Sequence, residues 1–202
     1  MKLHTYVVEH DYGFAPNPFY GVCTLATCKE FIRKYAAIGD YIIGTGCAKR
    51  KRRGYLVYFM RTEEIMTFDE YWLDHRFQCK RPNLRGSRMQ AFGDNIYHTD
   101  VVTGGWAQAN SVHSHRGGRP NILNITTDTK SSRVMISRHF TYWGGSGPLI
   151  PAGFRSFEGL DVCAKRYHKN RFPEHMATQF VAWLESLGAH GYQGEPLEWA
   201  RI

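Results

Sequence analysis

No stretch of this sequence is long and apolar enough to cross a bilayer. The longest apolar runs, Tyr41-Ile42-Ile43 and Tyr55 to Met60, are strand-sized, against the roughly 20 residues that a spanning helix needs. The opening Met1-Lys2-Leu3-His4-Thr5 lacks the apolar stretch of a secretory leader, so a cytoplasmic location is expected, with no membrane partner. There is no CxxC pair, and the five cysteines, at 23, 28, 47, 79 and 163, are odd in number, which argues against a disulfide framework. Cys23 and Cys28 could join histidines at a metal, but their spacing is not that of a zinc finger; reduced thiols, no metal and no other cofactor are expected. A phosphate-binding glycine loop and a Rossmann fingerprint are both missing, which counts against a base-modifying transferase with its own donor pocket. No repeat or low-complexity linker interrupts the chain.

What is present is ample apolar material. Hydrophobic residues make up 43% of the 202, enough for one sizeable core and to offset the entropy of ordering the chain. One domain over 1–202 is expected, with a helical C-terminal part from about 173. The net charge of +8 favours polyanionic partners through phosphate neutralisation and counterion release.

Residue patterns indicate an α+β fold: a mixed or barrel-like sheet built from hairpins, with flanking helices. Leu3 to Glu9 alternates and is rich in Tyr and Val, so it reads as a strand. Asp11 to Phe19 reads as a loop. Thr27 with Glu30 forms a capping-box pattern before Phe31, Ile32 and Tyr35, and Gly39 closes that helix. Gly39 to Gly46 and Tyr55 to Met60 predict the arms of a long hairpin around Lys49-Arg50-Lys51-Arg52-Arg53. Thr67 with Glu70 predicts another capped helix, through Trp72 and Leu73. Asn121 to Thr127 and Arg133 to Trp143 read as strands. Pro173 opens a last helix with an apolar stripe of Met176, Phe180, Val181 and Leu184, ended by Gly188.

Four constellations carry candidate chemistry. The basic run at 49–53, with Arg85, Arg88, Arg116 and Arg119 in loop-like segments, suits contact with a nucleic-acid backbone; a solvated turn is the plainer alternative. Gly93-Asp94-Asn95-Ile96-Tyr97-His98, followed by Asp100, concentrates acid, amide, ring and imidazole, the types that orient water and stabilise positive charge. Gly-Asp-Asn is also ordinary turn chemistry. In Trp106 to Arg116, Gln108 and Asn110 suit a base edge, while His113 and His115 would share one side of a strand as acid, base or phosphate contact. Metal binding there needs a further ligand that the spacing does not identify. Finally, Phe140, Tyr142 and Trp143 beside Gly144 could stack a base.

Gly93-Asp94-Asn95-Ile96-Tyr97, Trp106-x-Gln108 and Ser137-Arg138-His139-Phe140-x-Tyr142-Trp143-Gly144 before Pro151 resemble, in that order, the second family of nucleotide modification associated domains. The resemblance runs from Leu3 to about Trp183, and it implies a nucleic-acid role in phage and bacterial systems that make or respond to modified bases. The segment Gly39 to Met60 is similar to the early hairpin of PUA, ASCH and EVE barrels, a fold analogy. Gly93 to His98 is also similar to the water-activating Gly-Gln-Asp-Pro-Tyr-His motif of uracil-DNA glycosylases, with Asn95 where that family has Asp.

These features point to a DNA glycosylase that excises a bulky modified pyrimidine, such as a glycosylated hydroxymethylpyrimidine, from phage DNA in antiphage defence. The nucleotide would be flipped out, at a cost of about a few kcal/mol. Asp94 or Asp100 would stabilise charge on the sugar or activate water, and His98 or His113 would assist the departing base. Asn95 and Gln108 would hold its edge, and Tyr97, Trp106, Tyr142 or Trp143 would stack. A non-enzymatic reader of modified bases in DNA or RNA needs the same pocket without the carboxylate.

Overall fold

A computed structural model describes residues 1–201. In chain order its strands are β1 (Leu3–Val8), β2 (Cys23–Leu25), β3 (Tyr41–Gly46), β4 (Leu56–Arg61), β5 (Glu64–Thr67), β6 (Tyr97–Thr99), β7 (Trp106–Gln108), β8 (Arg133–Ser137), β9 (Phe140–Tyr142), β10 (His168–Lys169) and β11 (Gly191–Tyr192). Its α-helices are α1 (Glu30–Tyr35), α2 (Phe68–Leu73), α3 (Arg88–Ala91), α4 (Ile122–Asp128), α5 (Ala152–Arg155) and α6 (Glu174–Ser186). The class is α+β with mixed sheets and flanking helices, as the sequence indicates. Among the described residues, no helix is long and apolar enough to cross a membrane.

The chain sorts into two compact units. The first comprises Met1–Tyr12, Ala36–Glu63 and the chain from Ser137 on; the second comprises Gly13–Tyr35 and Glu64–Ile136.

The first unit is built on a six-stranded sheet, ordered β10-β1-β3-β4-β9-β11. β1 and β3 run parallel, and β3 and β4 form the expected antiparallel hairpin. Glycine at 44 makes room for the Tyr58 ring across the hairpin, because a Cβ there would lie 2.5 Å from it. Helix α6 buries Met176, Ala177, Phe180 and Leu184, residues three and four apart, against Ile43, Phe59 and Trp143. Each such apolar side chain withdrawn from water contributes about 1.5–3 kcal/mol. Gly188, at φ +62, follows the helix in the left-handed conformation that glycine adopts without strain.

The second unit contains the sheet β2-β8-β5 and the hairpin β6-β7. Thr67 and Glu70 form the predicted capping box of α2. Lys80 is fully buried, and its ammonium donates to the Asn17 carbonyl at 3.0 Å, Asn17 Oδ1 at 2.6 Å and the Val22 carbonyl at 2.9 Å. Three acceptors match its three donors, so the buried ammonium is satisfied.

Four local expectations are corrected. Residues 121–127 form no strand: Asn121 Oδ1 accepts from the Asn124 amide and caps helix α4. The segment from Arg133 to Trp143 is two strands in different sheets, β8 and β9. The Thr27–Glu30 capping box does not form: the buried Thr27 hydroxyl has no partner, and Cys28 and Lys29, both at positive φ, precede the helix. Of the expected stripe on α1, Ile32 is buried, Phe31 and Tyr35 are exposed, and the other buried residue is Arg33.

Candidate functional site

The second unit assembles a polar cluster from three separate parts of the chain. Cys28 lies in the loop between β2 and α1, His113 in the loop after β7, and Asp128 is the last residue of α4. Cys28 Sγ lies 3.7 Å from His113 Nε2, and His113 Nδ1 lies 3.0 Å from Asp128 Oδ2. With Nδ1–H donating to the carboxylate, Nε2 faces the sulfur. The three are graded in exposure: Cys28 is half-buried, the His113 side chain is 19% exposed and that of Asp128 only 3%. The carboxylate is therefore the most enclosed of the three groups.

Cys28 is held in an unfavourable backbone conformation. Its φ is +52 and that of Lys29 is +41, a region that costs a residue with a side chain about 1–3 kcal/mol. Both flanking peptide groups are pinned. The Cys28 amide donates to Asp128 Oδ1 at 2.7 Å, and its carbonyl accepts from Arg33 Nε at 2.8 Å. Arg33 has 0% exposure, and its guanidinium also donates to the carbonyls of Asp128 and Arg133, at 2.5 and 3.0 Å, and of Ser131. Burial lowers the Arg33 pKa and the Asp128 carboxylate opposes that shift. One cation thus ties the cysteine loop to the end of α4.

Asp128 Oδ2 accepts a second bond, from the Tyr97 hydroxyl at 2.9 Å. Burial, reinforced by the Asp128 charge, raises the Tyr97 pKa, so the phenol keeps the proton it donates. Gln108 Nε2 donates to the Tyr97 hydroxyl at 3.1 Å and the His113 carbonyl at 3.3 Å; the same carbonyl accepts from Asn124 Nδ2 at 2.8 Å. The Phe14 ring packs 4.6 Å from the imidazole, centroid to centroid. Burial lowers the His113 pKa, but the bonds to Asp128 and Cys28 outweigh it and push it up to about 9.

This arrangement has the donor types of a metal site. One ligand atom from each of Cys28, His113 and Asp128 lies within 4.8 Å of the others, as in a three-ligand site with a place for water. From the sequence, Cys28 stands as a possible partner of histidines at a metal, although no metal is expected; Asp128 is the member no sequence pattern marks. The hydrogen bonding of the set, however, is that of a nucleophile, a base and an orienting acid in line. Asp128 Oδ2 already accepts from the Tyr97 hydroxyl and His113 Nδ1, and Oδ1 from the Cys28 amide, so a cation at Oδ2 would compete with protein donors.

The residues singled out from the sequence separate into several environments. His113, Tyr97 and Gln108 belong to the cluster, though Tyr97 and Gln108 support it rather than present a base-reading surface. Asp94 is sealed, 1% exposed, and accepts from Thr24 Oγ1 at 2.7 Å and the Tyr71 hydroxyl at 2.8 Å. Burial raises its pKa, with Lys80 opposing. It cannot reach a sugar from there. Asn95 is equally buried and donates to the Tyr71 and Phe77 carbonyls, which makes it a structural amide. Asp100 folds the β6-β7 turn, accepting from the amides of Val102 and Thr103 and the Thr103 hydroxyl. Asp94 and Asp100 therefore do not converge. His98 stacks on Trp72, and Trp106 packs edge-on against Phe68. Tyr142 and Trp143 are core residues of the first unit; the Tyr142 hydroxyl donates to Asp11.

The basic run is also divided. Arg50 pairs with both oxygens of Glu198, and Arg52 donates to the Gly147 carbonyl and covers the Tyr55 ring. Lys49, Lys51 and Arg53 remain exposed, as do Arg85, Arg88, Arg116 and Arg119 in the second unit. Elsewhere in the first unit, a cavity of about 360 Å³ is lined by Lys165, Arg166, His168 and Lys169 beside Asp161 and Cys163. No sequence pattern marked it.

The family described as nucleotide modification associated domain 2 matches residues 1–202. No curated protein and no solved structure matches. Of the three resemblances read from the sequence, this is the one the match supports.

Proposed function

The chain belongs to the nucleotide modification associated domain 2 family, and from that premise we propose that it is an enzyme acting on modified bases, with Cys28 as nucleophile, His113 as proton carrier and Asp128 as orienting acid. The observation that carries this reading is the run of contacts from half-buried Cys28 Sγ through the imidazole to the buried Asp128. His113 Nε2, 3.7 Å from the sulfur, is placed to take the thiol proton as the nucleophile forms. Asp128 sets ring orientation and tautomer, as the acid does in hydrolytic triads.

Excision of a bulky modified pyrimidine from phage DNA needs a carboxylate at the sugar. Asp94 and Asp100 are committed elsewhere, so the thiol centre replaces them in this reading. The exposed cations are the groups that would contact nucleic-acid phosphates: Lys49, Lys51 and Arg53 in the first unit, and Arg85, Arg116 and Arg119 in the second.

The test is to incubate the protein with phage DNA carrying modified bases, and with the corresponding nucleotides, and to analyse the digested nucleosides by mass spectrometry. Wild type should change the modified nucleoside, whereas C28S and H113A, checked for folding by circular dichroism, should not. Full turnover by folded C28S would overturn the assignment. Loss of activity on chelation, restored by zinc, would favour the metal reading of the same cluster. Binding of modified DNA with no product from any variant would favour the reader.

A further inference from the structure

The acids considered for glycosyl transfer, Asp94, Asp100 and Asp128, are engaged by protein donors, and the candidate nucleophile at this centre is the Cys28 thiol, 3.7 Å from His113 Nε2. We infer that the reaction at Cys28 is acyl transfer, and that the substrate is a nucleotide whose base carries an amide or ester substituent. This rests on the thiol centre proposed above and names its chemistry.

The case is one of elimination and fit. An oxocarbenium-like sugar needs a nearby anion. Among the acids considered, Asp94 is sealed, Asp100 holds its own turn, and Asp128 receives the Cys28 amide, the Tyr97 hydroxyl and the imidazole. A thiolate instead suits attack at a carbonyl carbon, forming a thioester that water can open. His113 Nε2, 3.7 Å from the sulfur, is placed to hand a proton from one step to the next. The strained, doubly pinned backbone at Cys28 holds the sulfur in a fixed place.

The steps balance without any reagent but water. Cys28 Sγ, its proton taken by His113 Nε2, bonds to the substrate carbonyl carbon to give a tetrahedral oxyanion. The carbon–nitrogen or carbon–oxygen bond to the leaving group then breaks. His113 Nε2 returns its proton to the departing nitrogen or oxygen, leaving a Cys28 thioester. Water attacks that carbonyl while His113 accepts one of its protons, and the carbon–sulfur bond breaks. The acid is released, and the proton returns to the sulfur. An amine in place of water would give transfer.

The experiment uses the full chain and p-nitrophenyl acetate as acyl donor, with intact-mass and peptide-mass readouts. The expected result is one acetyl group per chain, mapped to Cys28, discharged by neutral hydroxylamine and absent from C28S. H113A, folded as judged by circular dichroism, should acylate about 100-fold more slowly or worse. Iodoacetamide supplies the second measurement, comparing Cys28 with exposed Cys79 in the same molecule. If Cys28 is alkylated faster than Cys79 but never acylated, the acyl chemistry is overturned and the thiol centre stands. If Cys28 shows no preference for either reagent, both fail.

Discussion

Replacing Arg33 by Met should break the candidate site from behind, without touching any residue of the triad. The guanidinium is fully buried and serves the carbonyls of Cys28, Asp128, Ser131 and Arg133. Methionine fills much of the same volume but donates nothing. An orphaned buried acceptor costs about 1–3 kcal/mol, and relaxation and entering water recover part of the total. Four such acceptors lose their donor together, so a net loss of about 3–5 kcal/mol is expected for R33M. Against an overall stability of about 5–15 kcal/mol, it moves the urea midpoint substantially but leaves folded protein to assay. In that folded fraction, Cys28 loses the clamp on its carbonyl and can leave its positive φ, so alkylation of Cys28 relative to Cys79 should fall. R33K keeps the charge, but an ammonium lacks the planar fork that reaches several carbonyls; it should recover part of the stability and little of the reactivity. An R33M protein within about 1 kcal/mol of wild type, with Cys28 alkylated at the wild-type rate, would refute the clamp.

Four further outcomes are expected. Converting Asp128 to Asn should slow Cys28 alkylation near neutral pH at least about tenfold, as followed by peptide mass spectrometry. The pKa of His113 rises on folding from 6.5 to about 9, so its stabilisation is complete below pH 6.5 and is lost as pH climbs through 9; denaturant titrations at pH 6 and 10 should differ by roughly 3 kcal/mol more in wild type than in H113Q. D94N should cost about 1–3 kcal/mol of stability and leave thiol reactivity unchanged, and a loss of reactivity in a folded D94N protein would return Asp94 to the site. Arg50→Ala should lower stability because it strands Glu198, whereas Lys49→Ala should leave stability alone and reduce the salt dependence of any nucleic-acid binding, a contrast measurable by binding isotherms at several salt concentrations.

Features set by neighbours in sequence were legible. The β3-β4 hairpin, the capping box of α2 and the stripe of α6 all follow from patterns a few residues long. Helix α4 was not, because Ile122, Ile125, Thr126 and Thr127 are strand-forming types; the Asn121 cap and the surrounding packing overrode that preference. The break between β8 and β9 was hidden for a similar reason. Its alternation reads as continuous, yet Glu63, distant in sequence, accepts the Arg138 and His139 amides where the strands part. At the candidate site, His113, Tyr97 and Gln108 were visible as a polar cluster, and the missing ligand beside His113 was recognised as missing. Cys28 and Asp128 stand 85 and 15 residues from it, and only the fold supplies that juxtaposition. The positive φ of Cys28 has no sequence signature, since cysteine is not a residue that marks such a conformation. Asp94 drew attention because acid beside amide looks like chemistry, and nothing local showed that hydroxyls from Thr24 and Tyr71 would enclose it.

The threading of the second unit has a consequence for when the thiol becomes special. Cys28 and the carboxylate that seats it are 100 residues apart, and the intervening chain leaves for the first unit and returns. Closing a loop of that length costs roughly 4 kcal/mol of entropy, which local structure cannot recover. An unfinished or partly opened chain therefore carries an ordinary cysteine, and the reactivity proposed for Cys28 would arise only together with the docked end of α4. The chemical clock of Cys28 alkylation is then also a gauge of folding, reading one specific closure that bulk spectroscopic signals average away.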